Sequence, residues 1–183
     1  MWLRAALILL ALGACTTGPN PEAEVRSRAW RQVVSLTEVT KVDSSTLRVS
    51  ASTPLIHSTD DMELALLTRA AGEAMRAEAP RFAITFVDYD EARLRLVPDF
   101  SVAEARWIGS YAALLEARSE ADIDGTLSDR YGFRSMVAVI VLLDDEEDAG
   151  RAAFEAEDVY ESLLESRIRS RGIKPKKRLD LPF

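Results

Sequence analysis

Cys15 is the only cysteine of the 183-residue chain, and His57 is its only histidine. A thiolate is a nucleophile that can be alkylated, but a lone thiol leaves no internal disulfide, so stability rests on packing. A single imidazole allows one histidine base at most. His57 lies beside Ser58 and Asp60 with no cysteine partner, and it reads as a loop residue ahead of a helix rather than as a triad base. The run Asp144-Asp145-Glu146-Glu147-Asp148 could attract a cation, but a calcium loop of the EF-hand type needs Gly at its sixth position, where Ala149 stands. It reads as a solvated strand-to-helix connection. Trp30, Trp107 and Tyr111 could line a pocket, and aromatic side chains at helical spacing are read as core. Residues 167–178 hold seven bases and no acid. Arg167, Arg169 and Arg171 suit the negative end of a helix. Lys174, Lys176, Lys177 and Arg178 do not; they read first as a solubilising tail, with contact to an anionic headgroup, lipopolysaccharide phosphate or acidic partner as the alternative.

The surroundings of Cys15 give its chemistry a direction. Arg4 and the amino terminus precede an unbroken apolar run over residues 5–12, far short of the roughly 20 residues that span a bilayer. Leu12-Gly13-Ala14-Cys15 then resembles the bacterial lipobox, an aliphatic residue and two small ones before cysteine. The resemblance implies cleavage between Ala14 and Cys15, a diacylglycerol thioether on Cys15 and acylation of the new amine. Two or more chains anchor stably where one does not. Thr16 rather than Asp follows, which by the same resemblance implies sorting to the outer membrane, with the domain facing the periplasm.

Asp122-Ile123-Asp124-Gly125-Thr126-Leu127 is similar to the D-x-D-G-T signature of haloacid-dehalogenase-type phosphatases. That resemblance implies Asp122 as nucleophile and Asp124 as general acid/base, with magnesium screening the charge. Such a nucleophile ends a buried parallel strand, yet residues 117–121 are polar, and too little chain follows Asp124 for a doubly wound sheet. Asp-Gly is also an ordinary turn pair. A small metal-dependent phosphatase using Asp122 and Asp124 is kept as the alternative.

The elements that must position these groups follow from patterning. Residues 16–21 read as a polar tether, and residues 22–34 fit either a short helix or a strand. Residues 36–42 and 46–52, rich in Val and Thr, read as a hairpin turned by Asp43-Ser44-Ser45. After Pro54, Ser58 or Thr59 caps a helix whose apolar face is Leu64, Leu67, Ala70, Ala71, Ala74 and Met75, stopped by Pro80. Phe82, Ile84 and Phe86 alternate with Ala83, Thr85 and Val87 in a strand apolar on both faces, and residues 92–96 read as an edge strand. Ser101 and Glu104 have capping-box spacing for a helix through Ala105, Ile108, Ala112 and Leu115, weakened by Gly109. Residues 136–143 are the most apolar stretch beyond the leader and read as a buried central strand. A last helix over residues 152–171 puts Ala156, Val159, Tyr160, Leu163, Leu164 and Ile168 on the core and Gly172 past its end. The fold expected is α+β, a two-layer domain with a mainly antiparallel sheet and helices packed on one face.

On these elements, Leu47-Arg48-Val49 on a strand, Thr68-Arg69-Ala70-Ala71 late in a helix, Phe82-Ala83-Ile84 opening a strand and Phe154-x-Ala156-x-x-Val159 are similar to a family of small proteobacterial envelope lipoproteins, over about residues 46–168. That likeness implies the same architecture and brings no activity.

The organisation expected is a signal peptide over residues 1–14, a lipidated cysteine and tether over 15–22, a periplasmic domain over 23–173 and a basic tail over 174–183. The chain carries a net charge of −7, which becomes −8 without Arg4, and a field that acidic excludes general nucleic-acid binding. The function expected is a noncatalytic, membrane-anchored binding or structural module of the cell envelope. Its cofactor requirement is none beyond the covalent lipid, and no metal ligands are read. Its partners are the membrane and an envelope protein, lipopolysaccharide or other anionic component.

Overall fold

The computed structural model describes residues 20–52, 58–89, 106–121, 135–144 and 150–173. Helix α1 (Pro21–Leu36) settles the ambiguous first segment as helix. The Asn20 side chain accepts from the Glu22 N–H at 3.0 Å, Pro21 takes the first turn, and Glu22 and Glu24 face the positive helix end. The helix therefore takes Pro21 and Glu22 from the expected tether. Val25, Ala29 and Val33 recur every four residues and are its buried stripe.

Thr37 passes straight into strand β1 (Thr37–Lys41), which turns into β2 (Thr46–Ser52). The expected turn residues make the hairpin: the Asp43 carboxylate accepts the backbone N–H groups of Ser45 and Thr46, each at 2.8 Å. These bonds, led by the one from Ser45, hold the Asp43 carboxyl below the usual carboxylate range.

Helix α2 (Thr59–Arg76) is capped by Ser58, whose Oγ accepts from the Asp61 N–H at 3.1 Å. It leads to β3 (Arg81–Asp88), α3 (Tyr111–Ala121), β4 (Ser135–Leu143), the two-residue β5 (Phe154–Glu155) and α4 (Ala156–Ser170). The five strands form one antiparallel sheet in the order β1-β2-β4-β3-β5, with helices packed against it, so the fold is α+β as expected. Strand β4 is central and buried almost throughout, as its apolar run requires.

Leu47, Val49, Phe82, Ile84, Met136, Ala138 and Ile140 supply the sheet's share of the main core, against Leu66, Leu67, Ala70, Ala71 and Ala74 of α2. Ala83, Val141 and Leu143 form a smaller cluster, covered in part by Trp107 and Ala153.

Four expectations change. The register of β3 on β4 shifts between Ile84 and Phe86, a β-bulge that puts Val87 opposite Ala138 of the main core and Phe86 opposite Val139. Phe86 therefore leaves the face of Phe82 and Ile84, because an extra residue reverses strict alternation. Ile108 is not helical. It exchanges backbone hydrogen bonds with Ile84 at 3.0 and 2.8 Å, and α3 starts at Tyr111 behind Ser110, whose Oγ accepts from the Ala113 N–H at 3.2 Å. Gly109 explains the break: a Cβ there would lie 2.1 Å from the Ala153 nitrogen, so two backbones cross where only hydrogen fits. The last helix begins at Ala156 because Phe154 and Glu155 pair with Phe82 and Arg81. On α2, Leu64 is only half-buried and Met75 is exposed, whereas Met62 and Glu63 are buried.

Candidate functional site

The densest polar cluster among the side-chain contacts surrounds a residue that the sequence reading passed over. Glu63, in the second turn of α2, is fully buried. Tyr89, just past β3, donates its hydroxyl to Glu63 Oε1 at 2.7 Å. Tyr111, the first residue of α3, reaches Oε2 at 3.3 Å. Arg118, on the same helix, donates through Nη1 to Glu63 Oε2 at 3.0 Å and to Asp60 Oδ1 at 2.7 Å. One carboxylate thus ties three separate stretches of chain together.

The signal was present in the sequence. Glu63 stands four residues before Leu67, seven before Ala70 and eleven before Ala74, on the apolar stripe itself. A carboxylate there must be paired or neutral, because burying an unpaired charge is prohibitively unfavourable. The partners come from chain 26, 48 and 55 residues away, which no local pattern reveals.

The electrostatics oppose one another. Burial pushes the Glu63 carboxyl up from its ordinary value, and the bonds from Tyr89, the Arg118 charge and the bond from Tyr111 pull it back, leaving it raised. Burial and the Glu63 charge push the Tyr111 hydroxyl up to about 12 and Tyr89 higher still, so both remain proton donors. Burial lowers the Arg118 guanidinium, but its bond to Asp60 and the Glu63 charge outweigh that and raise it overall. Both Glu63 oxygens are engaged, and no surface of that residue meets solvent. This arrangement fastens α3 and the end of β3 to α2. It lacks the open approach that a general acid or base needs at a reacting atom.

The other side of the α2 N-terminus meets α4. Arg171 pairs with Asp61 at 3.2 Å, and Arg167 donates through Nη2 to the Asp61 carbonyl at 3.2 Å. Arg167 was expected to serve helix polarity, but it is buried and its Nη1 has no hydrogen-bond partner among the described residues. Burial, then the neighbouring Arg171 charge, pulls its pKa down.

The three aromatic side chains singled out in the sequence do not share a pocket. Trp30 packs on Tyr160 with ring centroids 5.6 Å apart. The Arg69 and Arg76 guanidinia lie 5.5 and 5.2 Å from its ring, and Glu73 lies within 2.9 Å of both arginines. A Cβ on Gly72 would come within 2.5 Å of the Trp30 ring, so that glycine admits the indole. Trp107 lies under Arg151 at 4.7 Å, beside the smaller apolar cluster, and Tyr111 joins Glu63.

Asp144 is exposed at the end of β4, and its carbonyl accepts from Arg81 at 3.3 Å. Ala14, Cys15, His57, Asp122, Asp124, Asp145, Glu146, Glu147, Asp148, Lys174, Lys176, Lys177 and Arg178 lie outside the described residues, as do the expected strand over 92–96 and the capping box at Ser101. Among the described residues no group of three His, Cys, Asp or Glu side chains is placed to hold a metal ion, and no helix is long and apolar enough to cross a membrane. Compared with protein-family models, curated proteins and solved structures, the chain matches none.

Proposed function

We propose that this chain is a lipoprotein of the bacterial cell envelope, cleaved before Cys15, acylated on that cysteine and held at the outer membrane with its α+β domain facing the periplasm. There it acts as a noncatalytic module that binds or positions another envelope component. One observation carries the reading: the first described element is a helix capped by Asn20, five residues after Cys15. Five extended residues span roughly 17 Å. A cysteine five residues before a capped helix and behind an apolar leader supports the anchor reading. The closed Glu63 cluster favours a module that holds shape over one that turns over substrate.

The test is metabolic labelling of cells with a fatty acid. The parent chain takes up label and loses residues 1–14. Cys15→Ser takes up none and stays uncut, and a labelled, processed Cys15→Ser protein refutes the anchor. Magnesium-dependent hydrolysis of a phosphate ester, abolished by Asp122→Asn, refutes the noncatalytic part.

A further inference from the structure

Helix α3 is the least buried of the described helices. Ten residues of α2 are buried, three in each of α1 and α4, and in α3 only Leu114. The face that α3 turns inward is one stripe, Tyr111, Leu114 and Arg118, spaced three and four residues apart. Leu114 enters the main core. Tyr111 and Arg118, one turn to either side of it, both end on the Glu63 carboxylate of α2, at 3.3 and 3.0 Å. Arg106 also pairs with Glu116 and Glu120 of α3, but all three side chains are open to water, where an ion pair contributes little. Glu63 is therefore the main polar hold on this helix.

The chain is pinned just ahead of α3. Ile108 exchanges backbone hydrogen bonds with Ile84 of β3, and Gly109 passes Ala153 too closely for a Cβ. A movement of α3 thus pivots at Ser110 and leaves the ladder of β2, β4 and β3 in place. It carries Tyr111, Leu114 and Arg118 away from α2 and brings water to Glu63, which has no exposed surface while α3 is docked. Tyr89 stands at the end of β3, so its bond to Glu63 does not depend on α3.

We propose that α3 is a strap that opens from α2 while the sheet stays folded, and that the Glu63 carboxyl is its pH-sensitive latch. The groups that face this carboxyl are Tyr89 from the end of β3, Tyr111 and Arg118 from α3, and Asp60 from its own helix. While α3 is docked, burial outweighs the bonds and the Arg118 charge and leaves the carboxyl raised. When α3 lifts, water replaces the burial and the carboxyl falls back, with the Tyr89 bond pulling it lower still. The open state therefore gives up this proton first. Docking is strongest below the open-state value, where both states hold the proton, and weakens as pH rises through the docked value. Both tyrosine hydroxyls keep their protons over that range. The strap does not depend on whether Cys15 carries lipid.

The test is amide hydrogen exchange on the whole chain at pH 4 and pH 8, with each rate divided by that of the same amide in an unstructured peptide. The α3 amides are read from Leu114 onward, where helical bonding begins, and the β4 amides report opening of the whole fold. The expected result is exchange in α3 about tenfold or more above that in β4 at both pH values. The corrected α3 rate should also rise about threefold or more between pH 4 and pH 8. In Glu63→Gln, which cannot titrate, the rise should disappear. In Arg118→Gln the charge that holds the docked carboxyl down is gone, so the rise should be larger, and this variant serves where Glu63→Gln does not fold. Equal exchange in α3 and β4 overturns the strap. A corrected rate that is level or falls with pH overturns the latch, as does a rise that survives Glu63→Gln or fails to grow in Arg118→Gln.

Discussion

Replacing Tyr89 by Phe removes one hydroxyl and leaves the ring in place, so the substitution isolates the 2.7 Å bond to Glu63. A hydrogen bond to an ionised group contributes about 1.5–3 kcal/mol, and one between neutral groups about 1 kcal/mol. The loss therefore depends on the charge of Glu63, and pH controls that charge. The Glu63 carboxyl is raised in the folded chain by burial, so on a climb from acid the unfolded chain gives up this proton first. Its contribution to stability is complete below the unfolded value and declines as pH rises through the folded value, after which it is level. The Tyr89 bond limits that decline by holding the folded value down. Without it the value rises further and the decline is larger. The cost of Tyr89→Phe should then grow from about 1 kcal/mol at pH 4 to about 2 kcal/mol at pH 8. At 2–4 °C per kcal/mol for a domain of this size, the larger figure lowers the melting temperature by roughly 4–8 °C. Urea titrations of parent and variant at both pH values measure it, and groups that titrate alike in the two proteins cancel. In a Glu63→Gln background the cost of Tyr89→Phe should be the same at both pH values. A cost that is constant in the parent background, or that shrinks as pH rises, refutes the account of Glu63 as an ionised buried tie.

Gly109→Ala should destabilise by about 1–3 kcal/mol, read as a lower urea midpoint, because the new methyl meets the Ala152 and Ala153 backbone rather than a side chain that can move. Arg167→Met should leave stability unchanged or raise it, since among the described residues the buried guanidinium it replaces has a single hydrogen bond, to a carbonyl, and an unpartnered Nη1. A loss above about 1 kcal/mol in the same titration would show that the Asp61 carbonyl bond outweighs the burial of the charge.

Much of the fold was legible where one physical requirement acts locally. Val and Thr alternation with Asp43 as the turn acceptor is sufficient to make the hairpin, because every partner in it lies within a few residues. The apolar stretch of β4 reports burial on both faces, and Leu67, Ala70, Ala71 and Ala74 report one face of α2. What escaped depends on distant chain. The bulge at Thr85 is invisible because Phe82, Ile84 and Phe86 satisfy alternation perfectly well in isolation. Ile108 fits a helical stripe as readily as a bridge to Ile84, and only the crossing at Ala153 selects the bridge. Arg167 looks like an ordinary surface charge of an amphipathic helix, and Glu63, although it stands on the apolar stripe of α2, shows its partners only once distant chain is assembled in space. Of the candidate site, the aromatic residue Tyr111 was noted for its ring and turned out to matter through its hydroxyl.

The position of α1 carries a mechanical consequence. Its buried residues Val25, Ala29 and Val33 and the ring of Trp30 lie against α2 and α4, and its last residue runs without a loop into β1, an edge of the sheet. Tension applied at Asn20 travels down the helix axis and meets side-chain contacts before any strand-to-strand bond is loaded. Such a pull would load the contacts of α1 with α2 and α4 first, and the ladder of β2, β4 and β3 only after them.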